Sequence, residues 1–228
     1  MKQIIKEFEN LGRHKDLWEI FKDFLQMAAI AISNVTDKGQ KQGREKDYLE
    51  TAKKYTKEEL LKFSEILALV TEEMDKEPRD ILGEVFMQLE LGNKWKGQFF
   101  TPIHLAKLMS DITFDDVEIE KHGYLTVTDE AVGGGVTMVA LVKTMLNKGY
   151  NPQKQLVIEC GDLDIKSVYM TYIQLSLLGI PARVKEQDAL TQDLKSVWYT
   201  PMFKWGGWQW KLKEEKVNDI WRIARRSY

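Results

Sequence analysis

The chain has 228 residues, of which 43% are hydrophobic and 30% charged, as is typical of an ordinary globular protein with one good core. A net charge of −2 and a pI near 6.0 exclude a global attraction to nucleic acid, so DNA contact needs a local patch or a partner subunit. The single cysteine, Cys160, excludes an internal disulfide, and neither a signal peptide nor a membrane span is expected, which predicts a cytoplasmic protein.

The first ninety-odd residues predict an all-helical region. Apolar residues recur at helical spacing after Asp16, and Thr56 and Glu59 have the spacing of a capping box before a second amphipathic stretch. Asp80 is placed to begin a third helix. Between the first two helices, residues 35–44 predict a loop that ends before a short helix.

A helix start next to two aromatic residues follows, in the stretch Gly97–Pro102 (G-Q-F-F-T-P). Thr101 suits the N-cap and Pro102 the first helical position. An apolar stripe lies behind them at Leu105, Leu108 and Met109. The helix N-terminus offers unpaired amides that suit a carboxylate or phosphate, although a helix that starts after a buried aromatic pair gives the same pattern.

A glycine-rich turn comes next. Residues 124–128 predict a β-strand that ends on two acids, Asp129 and Glu130, and residues 133–135 are three glycines that permit close backbone approach. Residues 136–142 predict a helix. Strand, glycine turn and helix form the ligand cradle of a doubly wound sheet, although a glycine run alone is a weak signal.

Two acids follow the second predicted strand, at residues 155–160. Asp162 and Asp164 stand between this strand and a helix predicted for residues 165–178. An acid at this point of a nucleotide-binding βαβ unit accepts hydrogen bonds from ribose hydroxyls. The alternative is that both acids are exposed caps of the helix.

Two further strands are predicted at residues 182–185 and 196–199, and a fifth is counted if residues 208–212 form one. Five of the seven tryptophans lie between Trp198 and Trp221. They suit stacking on an extruded base, the hydrophobic cover of a sheet edge, or contact with another protein.

Residues 97–102 and the stretch D-E-A-V-G-G-G at 129–135 together resemble the adenine-N6 DNA methyltransferases, especially the modification subunits of type I restriction-modification systems. The family pattern is G-[QE]-F-[FY]-T-P followed by D-P-A-C-G-S-G, and the similarity covers about residues 80–203. The resemblance implies an α/β fold: a shortened, Rossmann-like methyltransferase domain at 96–228, truncated at its C-terminal end, after a helical region at 1–95.

The resemblance also implies S-adenosylmethionine as cofactor. Residues 97–102, called the aromatic box here, would line its methionine and adenosine side, and the glycine turn would lie beneath the methionine. Asp162, aligned back from L-L-G-I at 177–180, would hold the ribose, and Asp188, in Q-D-A-L, the adenine amino group. The implied cofactor-binding residues are Gln98, Phe99, Phe100, Thr101, Asp129, Ala131, Gly133, Gly135, Asp162 and Asp188.

The catalytic box departs from the family pattern. Where the family has [DN]-P-P-[FYW] after its fourth strand, this chain has Thr200-Pro201-Met202-Phe203. Thr200, Pro201 and Phe203 would be the catalytic residues, with Phe203 stacking on the flipped base. Threonine has a shorter reach than the family's Asn or Asp, and losing such a hydrogen bond costs about 10²- to 10³-fold in rate.

The predicted function is therefore methylation of adenine N6 in DNA, with a partner specificity or modification subunit choosing the sequence. The alternative is a non-catalytic S-adenosylmethionine-binding or subunit-interaction protein derived from such an enzyme. A nucleotide-binding dehydrogenase is a third hypothesis, which the first box disfavours. The histidines are scattered, so no metal site is expected.

Overall fold

The first part of the chain is helical, as the sequence predicts. The structure, a computed structural model, describes residues 1–13, 15–89 and 101–212. Up to residue 89, the described chain forms five helices joined by short connections. These are α1 (Lys2–Leu11), α2 (Leu17–Thr36), α3 (Lys41–Ala52), α4 (Lys57–Lys76) and α5 (Ile81–Gln88).

Polar side chains fix the starts of α2, α4 and α5. The Asp16 carboxylate accepts hydrogen bonds from two amides in the first turn of α2. Thr56 and Glu59 form the predicted capping box, and Asp80 Oδ1 accepts from the amide of Gly83 at 3.0 Å. A cap of this kind contributes typically about 1 kcal/mol, and the predictions at all three positions are confirmed.

The loop predicted for residues 35–44 is wrong over most of its length. Helices α2 and α3 extend into it and leave only residues 37–40 between them. The buried guanidinium of Arg44 explains the early start of α3, because it forms an ion pair with Asp37 at 3.4 Å and donates to the carbonyl of Val197 at 2.8 Å. These tertiary contacts override the local preference for a turn.

The second part of the chain alternates helices and strands. It begins with α6 (Ile103–Thr113), α7 (Val117–His122), β1 (Leu125–Asp129), α8 (Val136–Asn147) and α9 (Pro152–Gln155). It continues with β2 (Leu156–Asp162), α10 (Ile165–Leu177), β3 (Ala182–Gln187), β4 (Leu194–Tyr199) and α11 (Pro201–Trp205). The four predicted strands are confirmed, with shifts of one or two residues at their ends.

The strands of the described residues form one mixed sheet in the order β1-β2-β3-β4. β1, β2 and β3 are parallel, so Asp129 pairs with Cys160, and Asp162 pairs with Glu186. β4 runs antiparallel to β3. The edge at which β1, β2 and β3 end is called the carboxyl edge below, and the edge at which they begin is called the amino edge. β4 therefore ends at the amino edge.

One hydrophobic core joins the N-terminal helices to the sheet. Helix α10 packs on β2 and β3, and α2 packs against α10. Tyr172 of α10 is fully buried, and its ring lies 5.4 Å from that of Trp198 in β4. The result is a layered arrangement of sheet and helices that fits a shortened Rossmann-like α/β fold after a helical region.

The other face of the sheet is partly polar. Thr126 and Thr128 of β1 are exposed, and Arg183 forms an ion pair with Glu159 on the neighbouring strand at 2.7 Å. Near the amino edge, this face is covered by an aromatic cluster on Val157.

The apolar stripe of α6 predicted by the sequence does not face the core. Leu105, Leu108 and Met109 are 49%, 56% and 47% exposed. Helix α6 packs on α8 through Ala106 and Ser110 instead, whose small side chains let the two helices approach closely.

Residues 208–212 are helical, so the prediction of a fifth strand there is wrong. Trp208 is buried, and its ring meets that of Tyr124 edge-on at 4.9 Å. This packing favours hydrophobic cover among the roles considered for this tryptophan. No helix within the described ranges is both long and apolar enough to cross a membrane.

Candidate functional site

The loop between β1 and α8, residues 130–135, is called the glycine loop here. Two of its glycines have left-handed backbone, with φ of 57° at Gly133 and 91° at Gly135. Gly135 is also the N-cap of α8, and a Cβ there would lie 2.8 Å from the hydroxyl of Thr171. Both the backbone angle and the space thus require glycine at position 135.

Asp162, at the end of β2, holds the glycine loop. Its Oδ2 accepts from the amide of Gly133 at 2.9 Å, and its Oδ1 accepts from the amide of Asp164 at 2.9 Å. Burial raises the pKa of Asp162, the two amide bonds oppose this change, and the neighbouring carboxylates of Asp164 and Asp129 add to it. A carboxylate accepts about four hydrogen bonds, so two acceptor positions remain for another donor.

Asp129 shapes the start of the same loop. Its Oδ1 accepts from the amide of Ala131 at 3.0 Å, and its Oδ2 accepts from the hydroxyl of Thr137 at 3.2 Å. The next residue, Glu130, reaches across the sheet to Lys185 at 3.3 Å. Asp129 and Ala131 therefore lie at the carboxyl edge, where the sequence predicts a cofactor site.

Asp188 lies at the same edge, one residue beyond the end of β3. Its Oδ1 accepts from the amides of Leu190 and Thr191 at 2.8 and 3.2 Å. It thus caps the turn that leads into β4, a structural role that the sequence analysis missed. The structure brings the acids at positions 129, 162 and 188 to one edge, because each stands at the end of a parallel strand or directly after it.

Of the predicted cofactor-binding residues in the aromatic box, the structure describes Thr101, whereas Gln98, Phe99 and Phe100 lie outside the described residues. The N-cap of α6 is Pro102, not Thr101, and no side chain from the part of the chain that the structure describes caps this helix. Helix α6 runs beside α8 in the same direction, because Ile103 packs near Val136 and Asp111 accepts from Thr144. Thr101 is therefore at the same end of this helix pair as the glycine loop.

The three predicted catalytic residues lie at the opposite edge. Thr200 is fully buried, donates to the carbonyl of Ile180 at 2.7 Å and accepts from the amide of Ala182 at 2.8 Å. Pro201 occupies the first turn of α11, and Phe203 is 3% exposed in the aromatic cluster on Val157.

The length of β3 separates the two edges. Its six residues span about 16 Å at roughly 3.3 Å per residue. The predicted catalytic role requires Thr200, Pro201 and Phe203 to lie near the glycine loop. The structure does not place them there. The sequence contained a signal for the antiparallel direction of β4, because only residues 188–193 join β3 to β4. A parallel connection needs about a dozen residues or more, so this link favours a hairpin.

The comparisons with known proteins bear on the family resemblance. A family model described as N-6 DNA Methylase matches residues 78–219, more than half of the chain. The chain belongs to the N-6 DNA methylase family. The resemblance identified in the sequence is thereby confirmed. The N-6 DNA methylase match begins ahead of α5, so this helix and its cap Asp80 fall within it, and the division of the chain at residue 95 stays a prediction.

A crystal structure of the type I restriction-modification system methyltransferase subunit from Streptococcus thermophilus is similar to this N-6 DNA methylase chain, with a TM-score of 0.40 and 16% identity. The match covers 84% of this chain and 59% of that subunit. No curated protein matches the chain.

Two residues of this N-6 DNA methylase chain that the sequence analysis missed also contact the glycine loop. They are Thr171 and Gln174 of α10, whose side chains donate to the carbonyls of Gly133 and Gly134. A glutamine within the long apolar face of α10 is an unusual feature of the sequence, but it belongs to no motif that would have identified either residue. Among the described residues, no group of His, Cys, Asp and Glu is placed to hold a metal ion.

Proposed function

We propose that this member of the N-6 DNA methylase family binds S-adenosylmethionine at the carboxyl edge and serves the methylation of adenine N6 in DNA. The observation that carries the proposal is the bond between Asp162 and the amide of Gly133. This bond joins the loops after β1 and β2, which in a doubly wound sheet border the ligand crevice.

The charge of the side chains at this edge fits the cofactor. S-adenosylmethionine supplies an activated methyl group on a cationic sulfonium and also carries an ammonium group. The carboxyl edge presents acids after β1, β2 and β3, at Asp129, Asp162 and Asp188, which favour a cation over the phosphates of a dinucleotide. This electrostatic argument disfavours a dehydrogenase.

The proposed roles follow the family boxes. Asp162 accepts from ribose hydroxyls with its remaining lone pairs, and Asp188 accepts from the adenine amino group with its second oxygen. The left-handed backbone of the glycine loop allows close approach to the methionine part, with Asp129, Ala131, Gly133 and Gly135 beneath it. The aromatic box lines the other side, through Gln98, Phe99, Phe100 and Thr101.

DNA is proposed to reach this site with the help of a partner subunit. The chain has a net charge of −2, which gives no general attraction to the phosphate backbone. A specificity or modification subunit of a type I system would supply that attraction and choose the target sequence.

Calorimetric titration with S-adenosylmethionine tests the proposal. Asp162→Ala removes both the proposed ribose contact and the bond to the Gly133 amide, so we expect affinity to fall about 10- to 100-fold. Asp75→Asn, an exposed acid on α4, is the matched control and should bind as the wild type does. Equal affinity of the wild type and a folded Asp162→Ala variant would refute the proposed site.

A second candidate function is favoured by the position of Thr200. This residue is fully buried at the amino edge, which favours a protein that binds S-adenosylmethionine without transferring its methyl group. Transfer of labelled methyl to unmethylated DNA, with and without a type I specificity subunit, separates the two functions. Incorporation into adenine N6 supports the enzyme, whereas cofactor binding without incorporation in any combination supports the binding protein.

A further inference from the structure

Gln174 is a polar residue in the centre of the core. It is fully buried in α10, yet both functional groups of its side chain are bonded. Nε2 donates to the carbonyl of Gly134 at 2.8 Å and to Oδ1 of Asp80 at 2.9 Å, and Oε1 accepts from the amide of Leu82 at 3.3 Å. A buried amide with such bonds specifies one arrangement of its neighbours, because breaking any of them leaves a polar group unpaired.

Thr171, one turn earlier on α10, extends this contact. Its hydroxyl donates to the carbonyl of Gly133 at 3.0 Å, so two successive carbonyls of the glycine loop are held from the α10 side. In a planar trans peptide the N–H points opposite to the carbonyl. The bond to the Gly133 carbonyl therefore turns the N–H of Gly134 away from α10.

Gln174 also contacts the N-terminal helices, through Asp80. Asp80 is the N-cap of α5, and its Oδ1 accepts from both Gln174 and the amide of Gly83. The side chain of Gln174 is thus the bridge between the first turn of α5 and the glycine loop. Along the chain, α5 leads toward the aromatic box at residues 97–102.

We propose that Gln174 is a positioning residue for the glycine loop and that, through Asp80, it couples the orientation of this loop to the first turn of α5. The inference rests on the proposed function, since it concerns the loop that would lie beneath the methionine of S-adenosylmethionine. Gln174 acts through the loop backbone and does not itself contact the cofactor.

Gln174→Met tests the positioning role, because methionine has a similar volume and is unbranched but makes none of the three hydrogen bonds. We expect affinity for S-adenosylmethionine to fall about 10-fold or more, since a buried carbonyl loses its donor. Amide hydrogen exchange in residues 130–139 should accelerate in the absence of any cofactor. Phe63→Leu, a core change in α4, is the control for a general loss of stability and should not accelerate exchange selectively in these residues.

A pair of Asp80 variants tests the coupling. Asp80→Asn keeps an oxygen that can accept from both Gln174 and Gly83, so loop exchange should be no faster and affinity no weaker than in the wild type. Asp80→Ser keeps a helix cap, but its hydroxyl is too short to reach Gln174, so exchange in residues 130–139 should accelerate. This pair decides the question even if Gln174→Met does not fold.

The outcomes separate this inference from the proposed function. Equal loop exchange in the wild type, Gln174→Met and Asp80→Ser overturns the positioning role. If the wild type does not bind S-adenosylmethionine but loop exchange responds as described, the positioning role stands and the proposed cofactor is wrong.

Discussion

The two edges of the sheet differ in how their conspicuous residues are used. At the carboxyl edge, Asp129, Asp162 and Asp188 bond to backbone amides of loops and keep further acceptor positions. At the amino edge, Thr200 bonds to strand backbone inside the core, and Phe203 packs among aromatic rings. Both sets were assigned from comparison with family boxes, and the direction of a strand decides which of them can meet at one site.

The largest effect is expected at the amino edge. Phe203→Ala should lower the free energy of unfolding by about 3 to 5 kcal/mol, because it leaves a cavity against Val157 and Trp208. Trp205→Ala, at an exposed position of the same helix, should change it by less than about 0.5 kcal/mol. Chemical denaturation measures both variants. A stable Phe203→Ala protein that binds cofactor but has lost methyl transfer would instead support a catalytic role.

Asp80, which backs the carboxyl edge through Gln174, should give stability a pH dependence. Burial raises the pKa of Asp80 to about 6 from its ordinary value of 3.8, against hydrogen bonds from Gln174 and Gly83 that lower it. Because the folded-state pKa is the higher one, this contribution to stability is fully present below pH 3.8 and is lost as pH rises through about 6.

Asp80→Asn should remove this loss while keeping an acceptor for both hydrogen bonds. At pH 8 we expect the variant to be more stable than the wild type by up to about 3 kcal/mol, and at pH 4 to be nearly equal to it. Denaturation midpoints across this pH range measure the difference. A constant difference between pH 4 and pH 8 would contradict the account.

Gly135→Ala tests the close packing behind the glycine loop. The new Cβ would meet the Thr171 hydroxyl at 2.8 Å in a left-handed backbone, so we expect a loss of about 2 to 3 kcal/mol. Gly149→Ala has a similar φ of 85° with open space around the Cβ, and should cost only about 1 to 2 kcal/mol. Equal losses would show that α10 does not constrain the loop.

Thr200→Val should have the smallest effect. Removing the buried hydroxyl should cost about 1 to 3 kcal/mol of stability, because the Ile180 carbonyl and the Ala182 amide lose this partner. Affinity for S-adenosylmethionine should not change. The family resemblance predicts that Thr200→Asn raises methyl transfer, whereas its burial predicts that the larger amide destabilises the fold. Measuring rate and melting temperature on the same preparation separates these expectations.

Most of the correct fold predictions came from signals between residues that are close in sequence. Caps such as Asp16 and Thr56, and β-branched runs followed by acids, are decided by neighbours in sequence, and these elements were predicted correctly. The direction of β4 was not predicted, although the short link at residues 188–193 was a local signal for it. The outward position of the α6 stripe depends on packing against α8, which no local signal gives. The carboxyl-edge acids could be found because each follows a predicted strand. Gln174 was missed because a single buried glutamine in a helix carries no motif.

Hydrogen exchange of the wild-type protein with and without S-adenosylmethionine tests the central claim most directly. We predict protection on binding in the glycine loop and at residues 162–166 and 188–191, with no change at residues 199–205. Protection confined to residues 199–205, with the glycine loop unaffected, would contradict the assignment of the cofactor to the carboxyl edge.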